Sequence, residues 1–257
     1  MEFKIAAQMF TLREYMQTPE QMKVTLKKVK DMGYKAVQIS GIGNVDETKA
    51  QAIADITKEL GLKVCATHIS LDQLQNEFDW VVKFHKLWDC KYVGIGAMSS
   101  EYTKSKEKYI EFANMLNEIG QKLKENDLVL IYHNHRFEFE KFEDKVGLEI
   151  LYDYFDPKYV QFEIDTYWIQ AGGANPAKWI SKVNGRMGVV HFKDMAIKNN
   201  EQIMGEIGSG NLEWDEIIKA CNETGVEWAA VERDSGDKDA FLSLKESYDY
   251  LHSKGLE

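Results

Sequence analysis

Hydrophobic positions along the chain fall into two alternating periods. Short runs rich in β-branched, aromatic and small apolar residues recur at Lys4–Phe10, Lys35–Ser40, Leu62–His68, Lys91–Gly96, Leu128–Asn134, Tyr159–Ile164, Met187–Phe192 and Glu227–Val231. Between them lie longer stretches of helical spacing, among them Pro19–Met32, Glu47–Leu60, Leu71–Trp88 and Tyr109–Glu125. In Glu47–Leu60, Ala50, Ile53, Ala54, Ile56 and Leu60 gather on one side while Lys49, Asp55, Lys58 and Glu59 lie largely opposite. That is the stripe of a helix packed on a core. Gly33 and Gly61 stand just past two helical stretches, where a left-handed C-cap favours glycine. Pro19 and Pro176 stand where helices begin.

The pattern predicts eight strands and about eight helices in strict βα order, and strands separated by helices run parallel. Two layouts satisfy it. An open doubly wound sheet more often carries a glycine-rich fingerprint after its first strand, whereas here the first run leads into Thr11-Leu12-Arg13. The expected fold is therefore α/β, a single-domain (β/α)8 TIM barrel spanning 1–257, for which this length is typical. No linker, low-complexity stretch or longer repeat interrupts it.

Composition narrows the partners. With 32 basic against 42 acidic side chains, a net charge of −10 argues against nucleic acid, whose phosphates must be neutralised by Lys and Arg. No window approaches the roughly 18 apolar residues of a membrane span, and MEFKIAAQMF lacks a signal peptide's apolar region. Cys65, Cys90 and Cys221 are odd in number and far apart, so a reducing cytoplasm is expected rather than a disulfide framework. The aromatic stretches Phe78–Trp88 and Tyr152–Tyr159 would suit a homo-oligomer interface, though core packing explains them more economically.

In a barrel, chemistry belongs at the C-terminal ends of the strands. His68 ends the third run; His133, Asn134 and His135 end the fifth, followed by Arg136 and Glu138; Asp165 ends the sixth, His191 the seventh, and Glu232 with Asp234 the eighth. His85 and His252 fall inside helical stretches and read as surface or packing residues. His133, Asp165, His191 and Glu232 follow one another by 32, 26 and 41 residues, each about one βα unit, so successive strands deliver one group each to the same rim. Imidazoles and carboxylates converging there make a mixed nitrogen and oxygen site for one divalent metal ion, Mn²⁺, Co²⁺, Zn²⁺ or Mg²⁺. Taken singly, each has a structural explanation, such as a strand-end Asp capping a helix; the set carries the signal.

The motifs YHNHRFEF (Tyr132–Phe139), EIDTYW (Glu163–Trp168), HFKD (His191–Asp194), GSGNLEW (Gly208–Trp214) and VERD (Val231–Asp234) resemble the sugar phosphate isomerase/epimerase group of xylose isomerase-like barrels. QMFTLRE (Gln8–Glu14) and CATHIS (Cys65–Ser70) extend the resemblance over nearly the whole chain. That group includes ketose 3-epimerases, inosose dehydratases and enzymes of 3-keto sugars, with endonuclease IV a more distant relative whose basic groove this acidic chain does not suggest. The resemblance implies one metal held by Glu, Asp, His and Glu from strands five to eight. Asp165, His191 and Glu232 match the last three positions. The first departs, with His133 the expected substitute and Glu138 or His135 as fallbacks.

The same resemblance implies a sugar or keto sugar as the small-molecule partner, deprotonated next to its carbonyl with Glu232 as base and His135 or Glu138 as partner acid. Lys193 would neutralise the developing oxyanion, or simply pair with a carboxylate. His68, Trp168 and Glu206 are candidate substrate contacts. Loss of a strand-five glutamate weakens a symmetric epimerisation and suits a dehydration or elimination. The glycine-rich Met204–Asn211 would suit a phosphate, but Glu206 within it would repel one, so an unphosphorylated sugar is favoured.

Overall fold

The computed structural model describes residues 3–257. Met1 and Glu2, the start of the N-terminal segment weighed above, lie outside the described residues. Eight parallel strands form one sheet: β1 Lys4–Gln8, β2 Ala36–Ile39, β3 Lys63–Ile69, β4 Tyr92–Ile95, β5 Val129–His133, β6 Val160–Glu163, β7 Val189–Phe192 and β8 Trp228–Val231. Their hydrogen-bonded order is β6-β5-β4-β3-β2-β1-β8-β7. Each strand lies inside or within one residue of a run that the pattern predicts. β6 and β7 form no regular ladder. They meet through Phe162 N to Arg186 O at 2.8 Å, His191 N to Ile164 O at 2.9 Å and an isolated parallel bridge between Asp165 and His191. The sheet is thus a nearly closed TIM barrel, and two candidate ligands sit on its seam.

Ten α-helices occur among the described residues, the first being α1 Pro19–Met32 and α2 Glu47–Leu60. Thr18 and Gln21 form a reciprocal capping box on α1, with Pro19 in the first turn. Gly33 closes α1 at φ 117° against the Tyr248 ring, a place where a β-carbon would be both strained and crowded. The stretch Leu71–Trp88 is two helices, α3 Leu71–Asn76 and α4 Phe78–Leu87. The break falls at Glu77, whose φ of −127° and ψ of 36° leave the helical region; the preceding turn is tied to the loop before α2 by the buried Gln73, which bonds both the N–H and the C=O of Val45. Phe84, Trp88 and Phe155 are buried in the core, so the two aromatic stretches serve packing. The remaining helices are α5 Lys106–Lys124, α6 Gly147–Tyr154, α7 Thr166–Ala171, α8 Pro176–Lys182, α9 Trp214–Thr224 and α10 Ala240–Ser253.

Two antiparallel pairs depart from strict βα order. One is a short ribbon, Lys141–Phe142 with Lys145–Val146; the other is a hairpin, Asp194–Lys198 with Glu201–Gly205, whose turn uses positive φ at Asn199 and Asn200. Both stand outside the barrel sheet.

Two apolar layers stabilise the molecule. Outward-facing residues such as Ile5, Val37, Val93, Leu130, Phe162, Val190 and Val231 pack under the helices, while Ala6, Ala36, Ala66, Tyr92, Ile131, Val189 and Ala230 form a separate small core. Polar side chains are buried as well: Gln8, Gln38, Glu163 and His191 are each 0% exposed. Groups so placed are strongly destabilising unless bonded. The three cysteines are free and buried. No helix among the described residues is long and apolar enough to cross a membrane.

His85 on α4 is a packing residue. Its Nδ1–H donates to Val81 O at 2.8 Å, and its Nε2 accepts the Thr67 hydroxyl at 2.8 Å. Burial pushes its pKa down to about 4, against a small opposing effect of the Val81 carbonyl. The unfolded chain therefore takes up a proton near pH 6.5 that the folded chain refuses until about pH 4. Stability should fall with pH across that window, His85 contributing at most about 3 kcal/mol of the loss. Urea unfolding at pH 7.5 and 4.5 checks this: His85→Gln should show a smaller difference between the two pH values than the parent, and an equal difference refutes it.

Candidate metal centre

Four residues from four consecutive strand ends converge. His133 ends β5, Asp165 follows β6, His191 lies on β7 and Glu232 follows β8. One ligand-capable atom from each falls within 4.8 Å of all the others, and all four residues are buried. His133 Nε2 is 3.1 Å from Asp165 Oδ2, and His191 Nδ1 is 3.2 Å from Glu232 Oε2. Local structure aims each group. Asp165 is the N-cap of α7, accepting Trp168 N at 2.9 Å through Oδ1 and leaving Oδ2 for the cluster. Its own N–H donates to Asn134 Oδ1 at 3.1 Å. His133 Nδ1 donates to Gly96 O at 3.0 Å, which leaves the Nε2 lone pair facing inward.

This donor set fits a divalent ion. Ligands about 2.0–2.2 Å from one centre lie at most roughly 4.4 Å apart, close to the observed spread. The two carboxylates balance a double charge and the two imidazoles offer nitrogen. Lys193, 1% exposed, touches the same carboxylates: its ammonium is 3.0 Å from Glu232, 3.6 Å from Asp165 and 2.6 Å from Asp234. A metal ion would have to share or displace these contacts.

Burial disfavours every charge here, and mutual attraction restores them. His191 is held up at about 10 because Glu163 and Glu232 outweigh its burial. Asp165 and Glu232 are held below the usual carboxylate range, against their burial, chiefly by Lys193 with the imidazoles. His133 is lowered by burial and by the neighbouring His191. His135 is pushed down to about 3 by burial and His133; Asp234 is pushed up to about 6 by burial and Glu232.

A cavity of about 350 Å³ opens onto the cluster, with His68, His133, His135, Lys193, Glu232 and Asp234 on its walls. His135 Nδ1 and Trp168 Nε1 are buried without a hydrogen-bond partner. Their rings lie 5.3 Å apart, and Lys193 stands 5.2 Å from the Trp168 ring. Unpartnered polar atoms of this kind call for oxygens from water or a ligand.

Residues 26–253 match the model of the xylose isomerase-like TIM barrel family. The chain belongs to this family. An inosose dehydratase from Clostridium beijerinckii is 23% identical over 205 residues, 73% of this chain and 63% of its own length. Among solved structures, a sugar phosphate isomerase/epimerase from Parabacteroides distasonis superposes with a TM-score of 0.81 at 20% identity, over 98% of this chain and 94% of that one. A xylose isomerase-like TIM barrel protein from Mycobacterium smegmatis, solved in complex with magnesium, gives 0.72 at 13% identity over 98% and 96%. At these identities the structural likeness establishes the fold.

Two residues read as site groups stand away from the centre of this xylose isomerase-like barrel. Glu138 is fully buried, but its oxygens take the Tyr132 hydroxyl at 2.7 Å and the His135 N–H at 2.9 Å, so it supports the loop rather than entering the cluster. Burial raises it to about 8. Glu206 pairs with Arg233 and, at 3.0 Å, with Lys238; it lines a separate groove of about 620 Å³ that holds none of the four clustered residues. Conversely, Gln38 and Glu163 were missed. Their signal was present as polar residues at inward positions of otherwise apolar strands.

The glycine-rich segment after the hairpin has an internal anion already. The Asp194 carboxylate accepts Met195 N at 2.8 Å, Gly208 N at 2.8 Å, Gly210 N at 3.1 Å, Leu212 N at 3.4 Å and Trp214 Nε1 at 2.7 Å. A β-carbon at Gly210 would lie 2.4 Å from that carboxylate. The amides that a phosphate would use are spoken for. Asp194→Ala should destabilise the fold by about 2–4 kcal/mol, since it strands several buried donors. A urea midpoint equal to the parent's would show that water replaces the carboxylate.

Proposed function

We propose that this chain is a divalent-metal-dependent sugar isomerase or epimerase, removing a proton beside the carbonyl of an unphosphorylated ketose or keto sugar to give an enediolate. The observation that carries this reading is the convergence of His133, Asp165, His191 and Glu232 on one point at the cavity floor. A Mn²⁺, Co²⁺, Zn²⁺ or Mg²⁺ ion held there supplies Lewis acidity to the substrate carbonyl. Glu232, on the cavity wall, accepts the proton from the adjacent carbon. The buried Lys193 ammonium offsets charge growing on the substrate oxygen. His135 Nδ1 and Trp168 Nε1, both lacking protein partners, hydrogen-bond sugar hydroxyls, and the Trp168 ring and His68 flank the sugar. The names of the P. distasonis and C. beijerinckii proteins, an isomerase/epimerase and an inosose dehydratase, support the same range of chemistry.

Dehydration of a keto sugar or keto-inositol is the second reading, and one observation favours it. With Glu138 committed to Tyr132, the strand-five member of the cluster is the His133 imidazole, where a two-sided epimerisation would use a second carboxylate. Proton abstraction on one side followed by loss of a hydroxyl needs only one such base.

Both readings are tested by loading the protein with Mn²⁺ or Co²⁺ and following solvent-deuterium wash-in across a panel of keto sugars. The parent should bind about one ion per chain and exchange the proton, and release of water instead of isomer would select the lyase. Glu232→Gln should lower exchange by about 10²- to 10⁴-fold while the protein stays folded. Exchange undiminished in that variant removes Glu232 as the base, and a loaded parent that exchanges nothing refutes the reading. His133→Ala should release most of the bound ion at micromolar protein, checked by metal analysis after gel filtration.

A further inference from the structure

The four clustered residues leave a second set of buried polar groups unexplained. Gln38 on β2, Glu163 on β6 and His191 on β7 are each 0% exposed. Gln38 Nε2 donates to Glu163 Oε1 at 2.9 Å, and Gln38 Oε1 accepts from His191 Nε2 at 2.8 Å. The other oxygen of Glu163 bonds His68 Nε2, and the His68 ring stacks on that of His191 at 5.1 Å.

We propose that Glu163 is a positioning residue of the metal centre: directly, with His191 Nε2 3.3 Å from its Oε1, and through Gln38 it sets the tautomer and direction of His191, and through its second oxygen it holds His68 on the cavity wall. This rests on the metal reading above and adds a residue outside the ligand set. The argument turns on which groups can donate. An ionised carboxylate only accepts, so Gln38 must present its NH₂ to Glu163. Its carbonyl oxygen then faces His191 Nε2, and that nitrogen must carry the proton. Nδ1 is then the nitrogen that faces the cluster, 3.2 Å from Glu232 Oε2 and 3.9 Å from Asp165 Oδ2, and an ion bound there would displace its proton and take up its lone pair. A ligating histidine anchored through its far nitrogen to a carboxylate, directly or through one amide, is held in register and made a better donor. His133 reaches the same condition through the Gly96 carbonyl.

The same atoms admit one other assignment. His68, Glu163 and His191 also offer ligand atoms within 4.8 Å of one another, which would suit a second ion. Two facts weigh against it. Gln38 already bonds Glu163 Oε1 and His191 Nε2, and with Nδ1 given to the first ion a second would require His191 to ligate through both nitrogens and lose both ring protons.

Co²⁺ titration followed by ligand-field absorption tests the assignment in the parent, Glu163→Gln, Gln38→Leu and the double variant. The parent should bind a single Co²⁺. Each single variant should weaken binding by about 10- to 100-fold, and the double variant should be weakened by less than the product of the two single effects, because both residues hold the same His191 nitrogen. In the Zn²⁺-loaded parent, ¹⁵N–¹H correlation spectra of labelled histidine should find the His191 proton on Nε2. Loss of fold stability alone would move neither the affinity of the folded protein nor this tautomer. Unchanged Co²⁺ affinity in folded Glu163→Gln overturns the proposal, as does a His191 proton on Nδ1, or a second bound Co²⁺ that Glu163→Gln removes. Should Gln38→Leu fail to fold, the isosteric Glu163→Gln decides alone. A parent that binds no divalent ion overturns the metal reading, and this one with it.

Discussion

The seam between β6 and β7 is where the barrel's closure and its chemistry depend on the same few contacts. A regular parallel ladder there would pair backbone with backbone along the strands. Instead the strands touch through two main-chain hydrogen bonds and the Asp165–His191 bridge, and Thr166 bonds across the join at 2.8 Å to Lys193 O. The chain leaves β6 straight into α7, whose first turn is capped by Asp165. One carboxylate therefore ends a strand, starts a helix and faces the cluster. Its geometry is set by three local requirements at once, which is how a site acquires precision without a dedicated scaffold.

Charge organises what lies above that seam. Lys193 and His191 are cations in a setting that removes them from water, and Asp165, Glu232, Asp234 and Glu163 are the anions that make this tolerable. No member is separable: taking away one partner leaves a buried charge uncompensated. Such a network is poor value for stability compared with apolar packing, and its presence inside an otherwise aliphatic barrel argues for chemistry rather than for folding.

The repeating βα order was legible because hydrophobic periodicity is a local property, and each strand was found to within a residue or two. The rim residues were legible for a related reason: strand-end positions project to one mouth, so His133, Asp165, His191 and Glu232 could be grouped by spacing alone. What escaped depends on contacts far apart in sequence. Gln73 ties the first of two short helices to Val45, far back in the chain, and nothing in Leu71–Trp88 itself announces that. Glu138 looked like a site group because it follows the YHNH motif, but Tyr132, six residues earlier, draws it under the loop. The Asp194–Gly205 hairpin was hidden by its polarity, since Lys198, Asn199, Asn200 and Glu201 read as loop.

Saturation of the glycine-rich turn by Asp194 has a consequence for how this barrel can diversify. A relative that came to recognise a phosphorylated substrate at that turn would have to vacate the Asp194 carboxylate, and until a phosphate arrived the Gly208 and Gly210 amides and the Trp214 indole would stand without their acceptor. Such an exchange passes through a less stable chain, so the turn resists that change one residue at a time.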